Sequence, residues 1–150
     1  MNFYFMRRSI NLYGEAFVKT IALEKTGVAD TDTGIRVVRD FFKNIGIEKS
    51  ALQIIDGSGL SPQNRVTTEA EVLALIYARK QPWFRSFYLS LPEYNGMKMK
   101  SGSIGGARAY AGYHTARDGK QYVFSIIVNN YKGSASAVVR KMYKVLDVLK

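Results

Sequence analysis

The chain predicts an α+β domain, of the broad α/β class, in which helices come first, a three-stranded antiparallel sheet follows, and a C-terminal helix packs on that sheet. Three observations lead there. Apolar residues recur at helical spacing through the first part of the chain, near 9–25, 33–44 and 68–80. Between Met97 and Val128, three stretches alternate apolar with polar residues and are separated by glycine-bearing turns. From Ser134 onward the helical period returns. A chain of 150 residues with 47% hydrophobic content buries one core, so residues 1–150 are expected to form a single domain.

Composition narrows the function classes. No apolar run approaches the roughly eighteen residues a membrane helix needs, so no transmembrane segment is expected. The opening Met1-Asn2-Phe3-Tyr4-Phe5-Met6-Arg7-Arg8 carries its positive charge after a short apolar run, the reverse of an export signal. The absence of cysteine excludes disulfides and thiolate metal sites and leaves the compartment open. The one histidine, His114, sits near a hairpin end and is assigned no catalysis; no metal, no cofactor and no Ser-His-Asp triad is expected. Basic residues exceed acidic ones by 22 to 12, a formal charge of +10 that suits nucleic acid, an anionic polymer or a negatively charged substrate equally. They are spread through every predicted element rather than gathered in a stripe, so no nucleic-acid partner is expected.

The first helix is expected from Ser9 to about Lys25, with Ile10, Tyr13, Phe17 and Ile21 along one face. Ser9 and Asn11 stand at its start, where they either cap it or, as Ser-x-Asn, project a hydroxyl and a carboxamide into a cleft. Lys25-Thr26-Gly27 ends a helical run, so Lys25 reads as a last-turn cation and Gly27 as the stop, not as a catalytic triplet. A second helix, about Thr33 to Asn44, turns Ile35, Val38, Phe42 and Ile45 to one side and ends at Gly46. Beyond the apolar Ala51-Leu52-Gln53-Ile54-Ile55, residues Asp56 to Asn64 form a tight loop in which Asp56 and Ser58 bond nearby backbone amides. The loop lacks the lysine and the spacing of a phosphate-binding loop. Thr68-Glu69-Ala70-Glu71 reads as a capping box opening a third helix through about Lys80, with Val72, Leu75 and Ile76 inward and Pro82 beyond its end. The aromatic run Trp83 to Leu89 is assigned to the core, and Pro92 to Gly96 to a turn.

The first strand carries the chemistry. Met97 and Met99 alternate with Lys98 and Lys100, and the run then breaks into Ser101-Gly102-Ser103-Ile104-Gly105-Gly106. Lys100 offers a point charge and a proton carrier, Ser101 a small donor and acceptor, and Gly102 a place where a ligand's backbone meets no Cβ. Alone, such a triplet reads first as a solvated strand end. Arg108 to His114 and Gln121 to Val128 form the next two strands, joined at Asp118-Gly119. Ser134-Ala135-Ser136 opens the last helix, which turns Val139, Met142, Leu146 and Leu149 onto the sheet.

Together the motifs are more specific than any one of them. The chain resembles the C-terminal portion of the penicillin-binding D-alanyl-D-alanine carboxypeptidase/endopeptidases, serine peptidases of the penicillin-binding protein 4 type. Ser9-Ile10-Asn11-Leu12-Tyr13-Gly14-Glu15 looks like that family's Ser-x-Asn motif and the helix after it. Asp56-Gly57-Ser58-Gly59-Leu60-Ser61, with Asn64 and Val66-Thr67, looks like its Asp-Gly-Ser-Gly-Leu-Ser loop. Lys100-Ser101-Gly102-Ser103, running on through Ala109-Tyr110-Ala111-Gly112-Tyr113, looks like its Lys-Thr/Ser-Gly strand and hairpin partner. All three occur in the family's order. Gly14 stands where alanine is more usual, and Ser101 replaces threonine, which keeps the hydroxyl.

The resemblance implies part of the penicillin-binding/β-lactamase-like transpeptidase fold and serine acyl transfer on peptidoglycan stem peptides, with β-lactams as mimics. It casts Ser9 as a proton relay toward the leaving group, Asn11 as the group that orients the substrate amide, and Lys100 as the positive charge near Ser9. It places the substrate against Ser101, Gly102 and Ser103, with the Ser101 hydroxyl on its carboxylate and the Ser103 N–H as half of an oxyanion hole. A full-length member would work in the periplasm or cell envelope, although this chain shows no export signal. No serine here has a lysine three positions on, so the Ser-x-x-Lys nucleophile motif is missing. The expectation is a truncated catalytic domain, inactive alone. It would meet peptidoglycan peptide or β-lactam only when the missing part is supplied, and would self-associate through an exposed sheet edge. The alternative kept beside it is a small basic binding module for nucleic acid or cell-wall polymer.

Overall fold

The computed structural model describes every residue from Met1 to Lys150. The α+β class is as the sequence predicts. Helices α1 (Asn2–Arg8), α2 (Asn11–Thr26) and α3 (Thr31–Asn44) lead into a two-stranded ribbon, β1 (Leu52–Gln53) with β2 (Arg65–Val66). Helices α4 (Thr68–Arg79) and α5 (Phe84–Ser90) follow, then β3 (Glu93–Tyr94), β4 (Met97–Ile104), β5 (Ala107–Thr115), β6 (Gln121–Asn129) and the closing helix α6 (Ala135–Leu146). No helix is long and apolar enough to cross a membrane.

The main sheet has four antiparallel strands in the order β3-β4-β5-β6, one more than expected. Asn95 and Gly96 both adopt positive φ, 51° and 71°, the twist a two-residue hairpin requires, and so fold Glu93–Tyr94 back onto Met97–Lys98. The turn assigned to Pro92–Gly96 is thus itself a hairpin. Met97, Met99, Tyr110 and Phe124 from one sheet face meet Val138, Met142 and Leu146 of α6 in the main core. The Ser134 side chain caps α6 by accepting from the Ala137 N–H, which fixes the helix start where the sequence puts it.

The helices depart from expectation where small residues decide the packing. The buried positions of α2 are Gly14, Val18 and Ala22, not the larger Tyr13, Phe17 and Ile21, which stay half-buried beside them. This face crosses α3 at Gly34, where a Cβ would lie 2.2 Å from Val18 O. Close approach of backbones needs glycine and alanine, so the inward face follows small side chains rather than large ones. Helix α3 begins at Thr31, earlier than predicted, because the Asp30 carboxylate accepts from the Thr33 N–H. Helix α4 is likewise capped by Thr67, not by a box at Thr68; Thr67 Oγ1 accepts from the Ala70 N–H. Glu71 is free of capping and instead accepts a 2.5 Å bond from Ser125 Oγ on β6. Burial is the main influence on that carboxyl and raises it above the ordinary glutamate range. Ala70 and Ala78 are the buried residues of α4, while Ile76, expected inward, is exposed. The aromatic run assigned to the core is the short helix α5, amphipathic rather than buried throughout. Phe84, Phe87 and Tyr88 pack around Tyr113, whereas Trp83 and Leu89 are exposed.

The α2–α3 crossing yields a stability prediction. Gly34→Ala gains about 1 kcal/mol of helix propensity, but its Cβ meets backbone rather than a flexible side chain, and such overpacking costs roughly 1–3 kcal/mol. Urea unfolding should show a net loss of stability, and an unchanged or higher midpoint would contradict the close crossing.

Candidate active site

Ser9 does not cap α2, and the helix does not begin there. It is the residue between two helices: α1 ends on it, its N–H donates to Phe5 O at 2.9 Å, and its backbone is left-handed at φ 49°, ψ 50°. Helix α2 then starts at Asn11, with Ile10 as its N-cap and no side-chain capping bond. A left-handed serine is strained relative to glycine by about 1 kcal/mol or more, and the flanking structure holds it there. Arg7 of α1 donates to Leu89 O on α5 at 3.3 Å. Glu15 of α2 accepts from the Ser58 N–H at 2.9 Å.

That second contact ties the Asp56–Asn64 loop to the Ser9 corner. Asp56 accepts from the Gly59 and Ser61 N–H groups, each at 2.6 Å, and from Asn64 Nδ2 at 3.0 Å, as its position in the sequence suggests. Asn64 Oδ1 in turn accepts from the Ile55 N–H. Hydrogen bonds from Asn64, Ser61 and Gly59 together outweigh desolvation and lower the Asp56 carboxyl below its ordinary range. The loop reaches α2 so closely that a Cβ on Gly14 would lie 2.1 Å from Gly57 O. Glycine in place of the expected alanine at 14 is what this approach requires.

On the sheet side, Lys100 reaches across from β4 and its Nζ donates to Ser9 Oγ, 91 positions away in sequence, and to Ser101 O at 3.0 Å. Burial depresses the Lys100 ammonium below its ordinary 10.5. No carboxylate pairs with it; the ion pairs of the chain are Lys49–Asp40, Lys98–Glu93 and Lys150–Asp147. A desolvated lysine on a serine hydroxyl can hold or pass a proton at that oxygen.

The strand edge adds backbone donors. Across the tight β4–β5 turn Ile104 pairs with Ala107, so the ladder bonds to β5 run through the even-numbered residues of β4. The Met99 N–H accordingly points the other way, to Pro92 O at 3.1 Å. By the same alternation the Ser101 and Ser103 N–H groups point to the outer edge, beside Lys100. Their side chains lie on the sheet face opposite to that of Lys100. Gly102 faces the Lys100 side, where an added Cβ would meet only Ala109 Cβ, at an ordinary 3.5 Å.

The structure therefore brings Ser9 and Lys100 into contact and sets the Ser101 and Ser103 backbone beside them. Asn11 is exposed on the first turn of α2; no side-chain hydrogen bond joins it or Ser103 to the pair, and Ser101 meets it only through its backbone carbonyl, which accepts from Lys100 Nζ. Two concavities of about 420 and 470 Å³ lie along α3 and the β1–β2 ribbon and include neither Ser9 nor Lys100. No group of three potential metal-ligating side chains comes together. Glu15 was missed by sequence reasoning; its partner is 43 positions away, and nothing local marks it.

The depressed lysine has a measurable consequence. Just below pH 10.5 the unfolded chain binds more protons at Lys100 than the folded one, so stability contributed by this site rises with pH in that window. Urea titrations of the native chain and of Lys100→Met at neutral pH and near pH 9.5 should show that rise only in the native chain. Tyr110 and Tyr113, whose phenols are raised chiefly by burial, affect both proteins alike.

Comparison with known proteins gives this geometry a context. Residues 3–149 match the model of the D-Ala-D-Ala carboxypeptidase 3 (S13) family. The chain is 31% identical to a D-alanyl-D-alanine carboxypeptidase of Actinomadura sp. (strain R39), over 91% of this chain and 29% of that protein. It is 27% identical to the carboxypeptidase DacB of Mycolicibacterium smegmatis, over 83% of this chain and 32% of that protein. The chain thus spans about a third of the length of these curated relatives. Its fold is that of penicillin binding protein 4 from Haemophilus influenzae, solved in complex with a β-lactam. The TM-score is 0.86 at 20% identity, covering 99% of this chain and 41% of that one.

Proposed function

Because the chain belongs to the D-Ala-D-Ala carboxypeptidase 3 (S13) family, we propose that Ser9, Asn11, Lys100 and the outer edge of β4 form one wall of a serine acyl-transfer site for peptidoglycan stem peptides. The observation that supports this most is the Lys100 Nζ contact to Ser9 Oγ, made between elements far apart in sequence. In this reading Lys100, held partly desolvated, keeps positive charge beside Ser9 and exchanges a proton with its hydroxyl, and Ser9 passes that proton toward the leaving amine. Asn11 orients the substrate amide. The Ser103 N–H supplies half of the oxyanion hole, a donor worth about 3 kcal/mol in the transition state of comparable sites. Ser101 takes the substrate carboxylate; because its side chain lies on the far face of β4, it does so at the strand edge. Gly102 leaves room for the substrate backbone, which its open surroundings allow.

The nucleophile is not among these residues. No Ser-x-x-Lys occurs in the 150 residues, so the wall positions a ligand and forms no acyl-enzyme by itself. A D-Ala-D-Ala peptide or a β-lactam is the partner only together with a segment that supplies that motif, and an envelope location belongs to the same reading. So does self-association of the 150-residue chain through an exposed sheet edge.

Incubation with a labelled β-lactam should leave every serine of this chain unmodified, and a covalent adduct found by mass spectrometry would refute that. Translating the DNA upstream of the Met1 codon tests the wider reading. An in-frame Ser-x-x-Lys segment supports it, and in the resulting longer protein Lys100→Ala and Asn11→Ala should each slow acylation by roughly a hundredfold or more.

A further inference from the structure

Arg108 on β5 is a cation that no residue around it neutralises. Its Nε is buried and has no hydrogen-bond partner, and none of the ion pairs of the chain includes it. A buried guanidinium N–H left unpaired costs free energy, so such a group calls for a reason. The elements packed about it supply none: strands β4, β5 and β6 and helix α6 contain no aspartate or glutamate. The register shows what Arg108 does face. It stands directly opposite Ser103, at a pair that makes no ladder bonds, where cross-strand side chains approach most closely. Ser101 is its diagonal neighbour on β4, roughly 7–8 Å away and within reach of a long side chain. All three side chains lie on one sheet face, opposite to that of Lys100. Arg108 and Ser101 are half-buried and Ser103 is exposed, so the group reaches from the middle of the sheet to the outer edge of β4.

We propose that Arg108 is a specificity-determining residue: with the Ser101 and Ser103 hydroxyls it holds the terminal carboxylate of a peptide laid along the outer edge of β4. The inference rests on the peptide site proposed above and names the chemistry of the ligand's end. A guanidinium meets a carboxylate through two parallel N–H bonds, and each serine adds one O–H donor. This donor set suits a free carboxylate, whereas an uncharged carboxamide gains no ion pair and brings one acceptor fewer. Lys100 does not take the same part, because its Nζ is committed to Ser9 Oγ and to Ser101 O and its side chain lies on the other face. One cation is thus left for proton transfer and the other for binding. The site therefore selects peptides with a free C-terminal carboxylate over amidated ones.

Titrating the 150-residue chain with N-acetyl-D-Ala-D-Ala and with its C-terminal carboxamide tests the proposal, read through the backbone amide NMR signals of Ser101, Gly102 and Ser103. The native chain should bind the carboxylate about tenfold or more tightly than the carboxamide, the worth of charge-assisted hydrogen bonds. Arg108→Gln should bring the two peptides to near parity with little change for the carboxamide. Arg108→Lys keeps the charge but not the planar fork and should fall between. A residue that only packed the sheet would weaken both peptides alike, so the ratio separates the two roles. A carboxylate preference that survives in Arg108→Gln overturns the assignment and leaves the β4 peptide site standing. Signals in the native chain that neither peptide moves overturn the peptide site and the Arg108 assignment with it.

Discussion

The period-two alternation of β4 is the constraint on which the rest depends. Met97 and Met99 are 1% and 0% exposed under α6, and burying such a side chain contributes roughly 1.5–3 kcal/mol. A slip of one residue would turn both methionines out and two lysines in, so the core locks the register. The same lock fixes three other things at once. Lys100 faces away from the core toward the Ser9 corner, Gly102 follows it on that side, and the Ser101 and Ser103 amides point along the outer edge. The candidate site is in that sense a by-product of how the sheet is glued to its helix.

The opposite wall depends on backbone proximity rather than on apolar area. Ser9 sits left-handed between two helices, a conformation an isolated chain would leave. It persists because α1 is tied to α5 through Arg7 and α2 is tied to the Asp56 loop through Glu15. The reciprocal approach of Gly14 and Gly57 is part of the same tie, since a Cβ on either would strike the other's backbone. Strain at Ser9 and desolvation at Lys100 each work against stability, and they meet at a single contact. Costs gathered at one point and supported by several remote interactions are the usual mark of a site kept for chemistry rather than for folding.

Much of this was legible in the sequence, and the failures share a cause. The Lys100 strand, the Asp56 loop, the Gly27 stop and the Ser134 cap are local patterns whose physics is complete within a few residues. Helix α1, the left-handed Ser9, the inward face of α2 and the partner of Glu71 are decided by contacts between distant segments. The rule that large apolar residues face inward misled for α2 and α4 because both helices pack through glycine and alanine, where closeness matters more than side-chain area. Asn95-Gly96, by contrast, was a plain hairpin signal, and the fourth strand could have been read from it. What motif order supplied, and periodicity could not, was the expectation that Ser9 and Lys100 meet at all.

The two open edges of the sheet make the division of labour in this chain physical. Along β4 the outward amides stand beside a lysine, a serine and a glycine whose surroundings are open. Along β6 the outward amides stand on an uncharged strand with helices on both faces. An edge strand is costly to leave bare because its donors invite any extended chain, and charges or bulges are the common remedy. The β4 edge has lysines and a neighbouring helix corner, so it tolerates exposure. The β6 edge has neither: its outward amides run from Gln121 to Asn129 without a charge, a proline or a bulge.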